Sequence, residues 1–187
     1  MHRFAPLGQA SRLDPGASKL NFTAHSDGRF QIGDRTVPCI LGKGGVRMAA
    51  DKREGDGASP LGVWPIRRLL YRPDKAPPPK TGLAVHAIQP NEGWCDAPED
   101  PDYNRPVRLP YAASHEKLWR EDDVYDLVLV LGHNDDPVVP GMGSAIFLHL
   151  TQPDRRPTEG CVALDRPDML DLLARARPGD AVEIVRD

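Results

Sequence analysis

Short runs of apolar and β-branched residues recur along the chain and predict a fold built mainly from β-strands. The clearest runs occupy residues 125–134 and 143–150, and each has the composition of a buried strand. Residues 19–42 are predicted to form successive strands, with hairpin turns at 27–28 and 33–34, where an Asp-Gly and a Gly-Asp pair stand. Further strands are predicted at residues 63–71, 83–88, 161–164 and 181–185.

One helical pattern lies between the last two predicted strands. Its apolar face consists of Met169, Leu170, Leu172, Leu173 and Ala176. Asp165 is expected to cap its N-terminus, Pro167 lies in the first turn, and the Pro-Gly pair at 178–179 is expected to end it. A second helix of one or two turns is expected at 114–122, with Ser114 as its cap. The predicted fold class is therefore mainly β with minor α, ending in a strand–helix–strand unit.

Three segments have no regular pattern and are expected to be loops. Residues 43–62 are rich in glycine and charged side chains, but they lack the spacing of a phosphate-binding loop, so a nucleotide site is not expected. Residues 72–82 are rich in proline and predict a stiff surface segment. Residues 89–112 form the longest irregular stretch. Since long loops in compact domains are often functional, this stretch is expected to line a cleft.

Composition and charge argue against several classes of protein. The chain has 187 residues and a formal net charge of −3, with no basic cluster, so nucleic-acid binding is not expected. No stretch approaches the ~20 apolar residues of a membrane-spanning helix. Residues 1–20 lack the apolar core of a secretory signal, which fits a cytoplasmic chain, a removed signal or another export route. The length is that of one domain, residues 1–187, with its core at about 18–186.

The three cysteines form neither a disulfide framework nor a zinc pattern. Cys39 lies within an apolar run and is expected in the core, whereas Cys95 lies in the long irregular stretch and is expected to be exposed. Cys161 follows a polar turn at 158–160 and precedes an apolar run. It is therefore either a small buried side chain or a nucleophile.

A cysteine nucleophile needs a base, and His149 is the first candidate. His149 ends the apolar run 143–149, twelve positions before Cys161, and a polar, turn-forming segment connects the two. The chain is expected to leave one strand at His149 and to re-enter an adjacent strand at Cys161, so that the imidazole and the thiol meet. Gly160 would allow close backbone approach, with nearby N–H groups pointing at an oxyanion.

The segment GSAIFLHLTQPDRRPTEGCVAL, residues 143–164, resembles the active-site segment of the L,D-transpeptidase catalytic domain, the YkuD-like family. The family signature is a histidine, a spacer and then Ser/Thr-His-Gly-Cys, and the matching residues are His149, Thr158, Gly160 and Cys161. Residues 56–66 resemble the family's Thr-Pro-x-Gly-x-Phe segment, and the similarity covers most of residues 30–185.

The resemblance implies a fold, an activity and a location. The implied fold is a mixed β-sandwich, and the implied activity is cysteine acyl transfer on peptidoglycan stem peptides or muropeptides. Cys161 and His149 would be the catalytic residues, and Thr158, Glu159 and Gly160 would support them or the oxyanion. No metal or organic cofactor is implied. The implied location is the periplasm or cell envelope.

Two positions depart from the family pattern, and the spacer between His149 and Cys161 is shorter than usual. Glu159 stands where the family has histidine, and Ala163 stands where an arginine is often found. A Glu159 carboxylate facing the thiol would raise the thiol pKa; alternatively it would hold His149, or it would point away and only shape the turn. We favour the second interpretation, because a charge so close to a nucleophile otherwise opposes catalysis.

Other residues are candidates for substrate contact. His133 and Asn134 end the strand that precedes residues 143–150, so they would face the same cleft or serve a structural role. A metal site formed by His133 with Asp135 and Asp136 is not favoured, because adjacent acids on a polar turn are usually solvated. The remaining candidates for substrate contact lie in the long irregular stretch. For these residues, packing within the loop is as good an explanation as contact with a substrate: Trp94, Tyr103 and Asn104.

Three functions stay open from the sequence. The leading one is an L,D-transpeptidase, in which a stem-peptide thioester on Cys161 is transferred to an amine, forming cross-links or exchanging D-amino acids. Water in place of the amine would make the chain an L,D-carboxypeptidase or peptidoglycan hydrolase that uses the same site. The third is a non-catalytic wall-binding module, and Glu159 is the residue in its favour.

Overall fold

The computed structural model describes residues 21–187, so the predictions for residues 1–20, including the one on a signal, lie outside the described residues. The first strands are β1 (Asn21–His25), β2 (Arg29–Ile32), β3 (Arg35–Pro38), β4 (Val46–Met48), β5 (Ser59–Tyr71) and β6 (Val85–Ala87). They are followed by β7 (Glu92–Cys95), β8 (Pro106–Arg108), β9 (His115–Lys117), β10 (Leu127–Leu131), β11 (Phe147–Leu150), β12 (Val162–Leu164), helix α1 (Arg166–Arg175) and β13 (Ala181–Val185). The predicted fold class, mainly β with minor α and a final strand–helix–strand unit, is confirmed.

The larger sheet is organised around β5, which is 13 residues long. The strand order is β12-β11-β10-β5-β13-β1-β2-β3, and β4 and β6 also pair with β5. The hairpins predicted at 27–28 and 33–34 are confirmed, because β1, β2 and β3 pair in antiparallel fashion across those turns. The β11–β12 pair is parallel and lies at one edge of the sheet.

The strands β10 and β11, near that edge, are buried on both faces. Because successive side chains of a strand point to opposite faces, they pack into two different apolar clusters. In β11, Leu148 and Leu150 lie in the main core, whereas Phe147 lies in a second cluster on the opposite face. His149 shares the face of Phe147, because side chains two positions apart in a strand point the same way. His149 therefore faces away from the main core.

Helix α1 covers the main core, as predicted. Its buried side chains are Met169, Leu172 and Leu173. Two details of the prediction are wrong: Leu170 is 42% exposed, and the Asp165 side chain makes no cap hydrogen bond. The Asp165 carboxylate instead accepts hydrogen bonds from Thr151 and Arg155, which ties the helix start to the end of β11. Within residues 21–187, no helix combines the length and the apolar character needed to cross a membrane.

The segment predicted as irregular, 89–112, contains regular structure, and the helix expected at 114–122 does not form. Instead β7, β8 and β9 make a small antiparallel sheet in the order β8-β7-β9. These strands have three or four residues each, too few for an alternating pattern to be recognised in the sequence. Ser114 precedes β9 rather than capping a helix. Cys95 lies in β7 and is fully buried, so the expected exposure is wrong, whereas Cys39 is buried as predicted.

The glycine-rich segment 43–62 is also more ordered than predicted. It contains β4 and a short 3-10 turn at Ala49–Asp51, and β5 begins at Ser59 rather than at residue 63. The order comes from tertiary pairing, because β4 runs parallel to the first residues of β5. This pairing brings Ser59 next to the turn that precedes Cys161.

Candidate active site

Cys161 and His149 lie on one face of the parallel β11–β12 pair. His149 is in register with Ala163 and Leu148 with Val162, so Cys161 stands one position before the ladder, beside Phe147. Both side chains line a cavity of about 470 Å³, which we call the thiol cavity. Its walls also include Glu116, Arg120, Tyr125, Thr158 and Glu159. The predicted pairing of two adjacent strands is present and both side chains line one cavity, but no hydrogen bond joins the thiol to the imidazole among the described residues.

The thiol of Cys161 is held by backbone groups on both sides. Its Sγ donates a hydrogen bond to the Ala145 carbonyl at 3.2 Å and accepts one from the Phe147 N–H at 3.4 Å. The carbonyl can partner only the protonated thiol, whereas the N–H also suits a thiolate. Burial, and then the negative charge of Glu116, raise the pKa of Cys161 to about 12, so the resting thiol is neutral.

The imidazole of His149 is oriented by the backbone of its own strand. Its Nδ1 lies 2.9 Å from the Leu150 carbonyl, and because a carbonyl only accepts, we assign the proton to Nδ1. Nε2 is then the unprotonated nitrogen, and it has no hydrogen-bond partner among residues 21–187. Burial lowers the pKa of His149 to about 4, so the resting imidazole is neutral and can accept a proton.

The turn before Cys161 is shaped by two hydroxyl groups. Thr158 Oγ1 donates to the Cys161 carbonyl at 2.7 Å and accepts from the Gly160 N–H at 3.2 Å. Ser59 Oγ also donates to the Cys161 carbonyl, at 3.2 Å, and accepts from the Gly42 N–H. Ser59 was missed by sequence reasoning, although it stands in the segment 56–66 that carries part of the family resemblance.

Gly160 is needed for steric reasons. Its φ of +129° is a backbone conformation that residues with a Cβ rarely adopt. A Cβ added there would lie 2.9 Å from the Ala58 carbonyl oxygen. The close backbone approach predicted at this position is therefore present, but the Gly160 N–H already donates to Thr158.

Glu159 points away from the imidazole. Its side chain is 72% exposed and its carboxylate pairs with Lys43 at 2.8 Å. The group that holds His149 is the Leu150 carbonyl. The favoured interpretation, that Glu159 holds His149, is therefore wrong, and the contacts fit a residue that shapes the outer edge of the turn.

The carboxylate that affects the thiol is Glu116, which sequence reasoning missed. Residues 114–116 were assigned to a helix start, whereas Glu116 is the central residue of β9 and lines the thiol cavity. Its Oε2 accepts a hydrogen bond from the Tyr125 hydroxyl. No local pattern signals this role, because the β7–β9 pairing is what carries the side chain to the cavity.

Asn104 connects the small sheet to the thiol. Its Oδ1 accepts from Trp94 Nε1 at 2.9 Å and from the Ala145 N–H at 3.0 Å. Its Nδ2 donates to the carbonyls of His133 and Asn134. Ala145 has a φ of +51°, which is unfavourable for a residue with a Cβ, and it is the residue whose carbonyl meets the thiol. Asn104 thus holds a strained residue in the place where it contacts Cys161.

The other candidates for substrate contact make most of their hydrogen bonds within the protein, although the buried Nδ1 of His133 has no partner among the described residues. His133 is buried, and its Nε2 donates to the Met142 carbonyl at 2.9 Å. Asn134 Nδ2 donates to the carbonyls of Val139 and Gly143, which closes the turn after β10. Tyr103 is buried, and its hydroxyl donates to Glu54 and accepts from the Gly143 N–H. Trp94 is buried and packs its ring edge-on against Phe147 at 5.2 Å.

Charge on the cavity walls comes mainly from arginine and carboxylate side chains. Arg120 donates to Asp122 through Nε and Nη2, and its guanidinium lies over the Tyr125 ring at 5.1 Å. Arg156 lines the cavity, and it has no side-chain hydrogen bond to another part of residues 21–187. Within the same range, no group of three or more His, Cys, Asp or Glu side chains is arranged for a metal ion.

The comparison with protein families agrees with this geometry. The family model for the L,D-transpeptidase catalytic domain, YkuD, matches residues 23–184. A comparison with curated proteins finds none that matches. Members of the family are in general cysteine-dependent enzymes that act on peptidoglycan in the cell envelope. Because the match spans most of its length, the chain belongs to the YkuD family of L,D-transpeptidase catalytic domains.

Proposed function

We propose that the chain is a peptidoglycan L,D-transpeptidase that uses Cys161 as nucleophile and His149 as base. The observation that carries this proposal is the pair itself: a thiol and a correctly protonated imidazole line one cavity at the edge of the sheet. The donor would be a stem peptide or muropeptide, and the acceptor an amine from a second stem or a D-amino acid. We extend the proposal to one catalytic domain over residues 1–187, acting in the periplasm or cell envelope without a cofactor.

In the first step, the thiol attacks the carbonyl of the L-centre that precedes a D-residue. Nε2 of His149 takes the thiol proton as the S–C bond forms, and then gives it to the nitrogen of the departing D-amino acid. We assign the oxyanion to the backbone N–H of Cys161, since the N–H of Gly160 already donates to Thr158. The product of this step is a thioester on Cys161.

In the second step, the amine acceptor attacks the thioester. His149 takes a proton from the attacking nitrogen and returns it to the sulfur as the C–S bond breaks. Because the resting thiol and imidazole are both neutral, the thiol proton passes to His149 as the sulfur attacks in the first step. Hydrolysis would follow the same steps with water as the acceptor.

Product analysis by mass spectrometry tests the proposal. The chain is incubated with a purified tetrapeptide-stem muropeptide, with and without a D-amino acid acceptor. We expect release of the terminal D-residue and a new amide product that depends on the acceptor. Release of the D-residue with only hydrolysed product would identify a carboxypeptidase, and binding without any release would identify a wall-binding module.

A further inference from the structure

The lining of the thiol cavity includes a carboxylate besides Cys161 and His149. Glu116 stands in the middle of β9 and pairs with Trp94 of β7. Its neighbours His115 and Lys117 point to the other face of the small sheet, because side chains alternate along a strand. Glu116 is therefore directed to the cavity by the pairing of β9, and it is half-buried there.

One oxygen of this carboxylate is fixed and the other is left for a ligand. Oε2 accepts the hydrogen bond from the Tyr125 hydroxyl, and the Tyr125 ring packs edge-on against Phe147 at 6.0 Å and against His149 at 5.5 Å. Oε1 has no hydrogen-bond partner among the described residues, 21–187. The carboxylate is thus held at a fixed place relative to the strand that carries the base.

No cation of the described part of the chain pairs with this carboxylate. Arg120 lines the same cavity and its charge acts to lower the pKa of Glu116, but its guanidinium hydrogen-bonds to Asp122 at 2.6 Å and 2.8 Å. Burial raises the pKa of Glu116, and its negative charge in turn raises the pKa of both Cys161 and Tyr125. A carboxylate without a salt bridge opposes thiolate formation in a neighbouring thiol, so we look for its role in the step that follows acylation of the thiol.

We propose that Glu116 binds the ammonium group of the acyl acceptor and removes its first proton. This inference rests on the proposed transferase function and assigns the acceptor subsite to the wall formed by β9 and Tyr125. An acceptor amine is mostly protonated at neutral pH, and an ammonium has no lone pair for attack. The enzyme therefore needs one base to remove a proton before the attack, besides the base that removes the second proton during it. Glu116 is a carboxylate with no salt-bridge partner among residues 21–187, and it lines the same cavity as the thioester.

The proton balance of the second step is then complete. The ammonium passes one proton to the Glu116 carboxylate and becomes a neutral amine. The nitrogen lone pair forms the new C–N bond, His149 takes the second proton from nitrogen, and the C–S bond breaks with that proton going to sulfur. The carboxylic acid of Glu116 finally releases its proton to solvent.

The test compares two acceptors on the preformed thioester. A D-amino acid offers an ammonium, whereas hydroxylamine is mostly uncharged at neutral pH and needs no deprotonation before attack. In Glu116→Gln, we expect thioester formation to persist, transfer to the D-amino acid to fall on the order of 100-fold, and transfer to hydroxylamine to stay within about twofold of the wild type. Glu121→Gln is the matched control, since Glu121 is an exposed carboxylate of the same segment, and it should change neither rate.

The outcomes separate this inference from the proposed function. Equal loss with both acceptors, unchanged transfer to the D-amino acid, or failure of the variant to form the thioester would each overturn the role of Glu116. Absence of a thioester in the wild type would overturn the transferase proposal and this inference together. If Glu116→Gln does not fold, Glu116→Asp carries the same test, because a carboxylate one methylene shorter should weaken D-amino acid transfer and spare hydroxylamine.

Discussion

The two walls of the thiol cavity differ in the charge that they carry. The wall formed by β11, β12 and the turn at 158–160, which we call the strand wall, holds the thiol and the imidazole, and burial keeps both neutral. The wall formed by β9 and residues 120–125, which we call the sheet wall, holds Glu116 and Arg120. The reactive groups thus come from the strand wall, whereas charged groups come from both walls, since Glu159 of the turn also lines the cavity.

Under the proposed function, the strand wall carries the reacting groups and the sheet wall contacts the acceptor. On the strand wall, the hydrogen bonds to the Cys161 thiol and the His149 imidazole come from backbone groups. On the sheet wall, the groups are side chains on short strands and loops, and the Glu116 carboxylate among them raises the pKa of the Cys161 thiol. The departure at Ala163 fits this division, because the guanidinium groups at the cavity are those of Arg120 and Arg156 instead.

The largest expected effect comes from removing the nucleophile of the strand wall. Cys161→Ser should lower acyl transfer on the order of 10⁴-fold or more, because a serine hydroxyl is a far weaker nucleophile with this base. The fold should persist, as measured by thermal unfolding, since the exchange is nearly isosteric. Cys39→Ser is the matched control: the Cys39 thiol is also buried, with its pKa raised to about 12 by burial, but it lies in the main core. Equal loss in both variants would contradict the assignment.

The second prediction concerns the base. His149→Ala should lower kcat/KM by about 10²- to 10⁴-fold. In the wild type the neutral imidazole is the active form, and its pKa is lowered to about 4, so protonation removes the base only as the pH falls towards that value. A pH–rate profile of kcat/KM should therefore be level between about pH 5 and pH 7. An acid limb near about 6.5, the ordinary histidine value, would contradict a buried imidazole in the free enzyme.

The third prediction tests the link between the small sheet and the strand wall. Asn104→Ala should lower the free energy of unfolding by about 3 kcal/mol, because it leaves buried groups of Trp94 and Ala145 without partners. If Ala145 relaxes, the neutral thiol loses the carbonyl that accepts its proton, so the pKa of Cys161 should fall.

The readout for Asn104 is the pH dependence of Cys161 alkylation, followed by peptide mass spectrometry. A shift of the alkylation profile to lower pH in Asn104→Ala is expected. Asn104→Asp is the control, because it keeps an acceptor oxygen for the N–H groups of Trp94 and Ala145. It should shift the alkylation profile less than Asn104→Ala does. A loss of stability with an unshifted profile would leave Asn104 as a purely structural residue.

The smallest effect is expected at Glu159. Glu159→Gln removes an exposed ion pair with Lys43, and such pairs contribute at most about 1 kcal/mol. Turnover should stay within about twofold of the wild type, and the acid limb of the pH–rate profile should not move. A clear fall in turnover with a shifted limb would restore a role for Glu159 in orienting His149.

The strand wall could be predicted from the sequence, and the physical reason is that it is local. His149, Gly160 and Cys161 lie within one short segment whose apolar runs have strand length, and the connecting turn is polar. The parallel pairing of β11 and β12 then follows from burial of both strands. The direction of Glu159 could not be predicted, because it depends on Lys43, which is distant in the sequence.

The sheet wall could not be predicted, because it is assembled from tertiary pairing. β7, β8 and β9 are too short to show a period, and their polar residues suit a loop or a helix start equally well. Glu116 reaches the cavity only through the pairing of β9 with β7. In the same way, the polar side chain of Asn104 gave no sign that all of its hydrogen bonds lie within the protein.

Acylation of Cys161 by a donor substrate is the most direct measurement of the proposed chemistry. The chain is mixed with a tetrapeptide-stem donor without an amine, quenched rapidly in acid, and examined by intact-mass and peptide-resolved mass spectrometry. We predict an adduct with the mass of the donor minus its terminal D-residue, located on the peptide that contains Cys161 and absent from Cys161→Ser. Release of the D-residue without any adduct on Cys161, or an adduct on another residue, would contradict cysteine acyl transfer at this site.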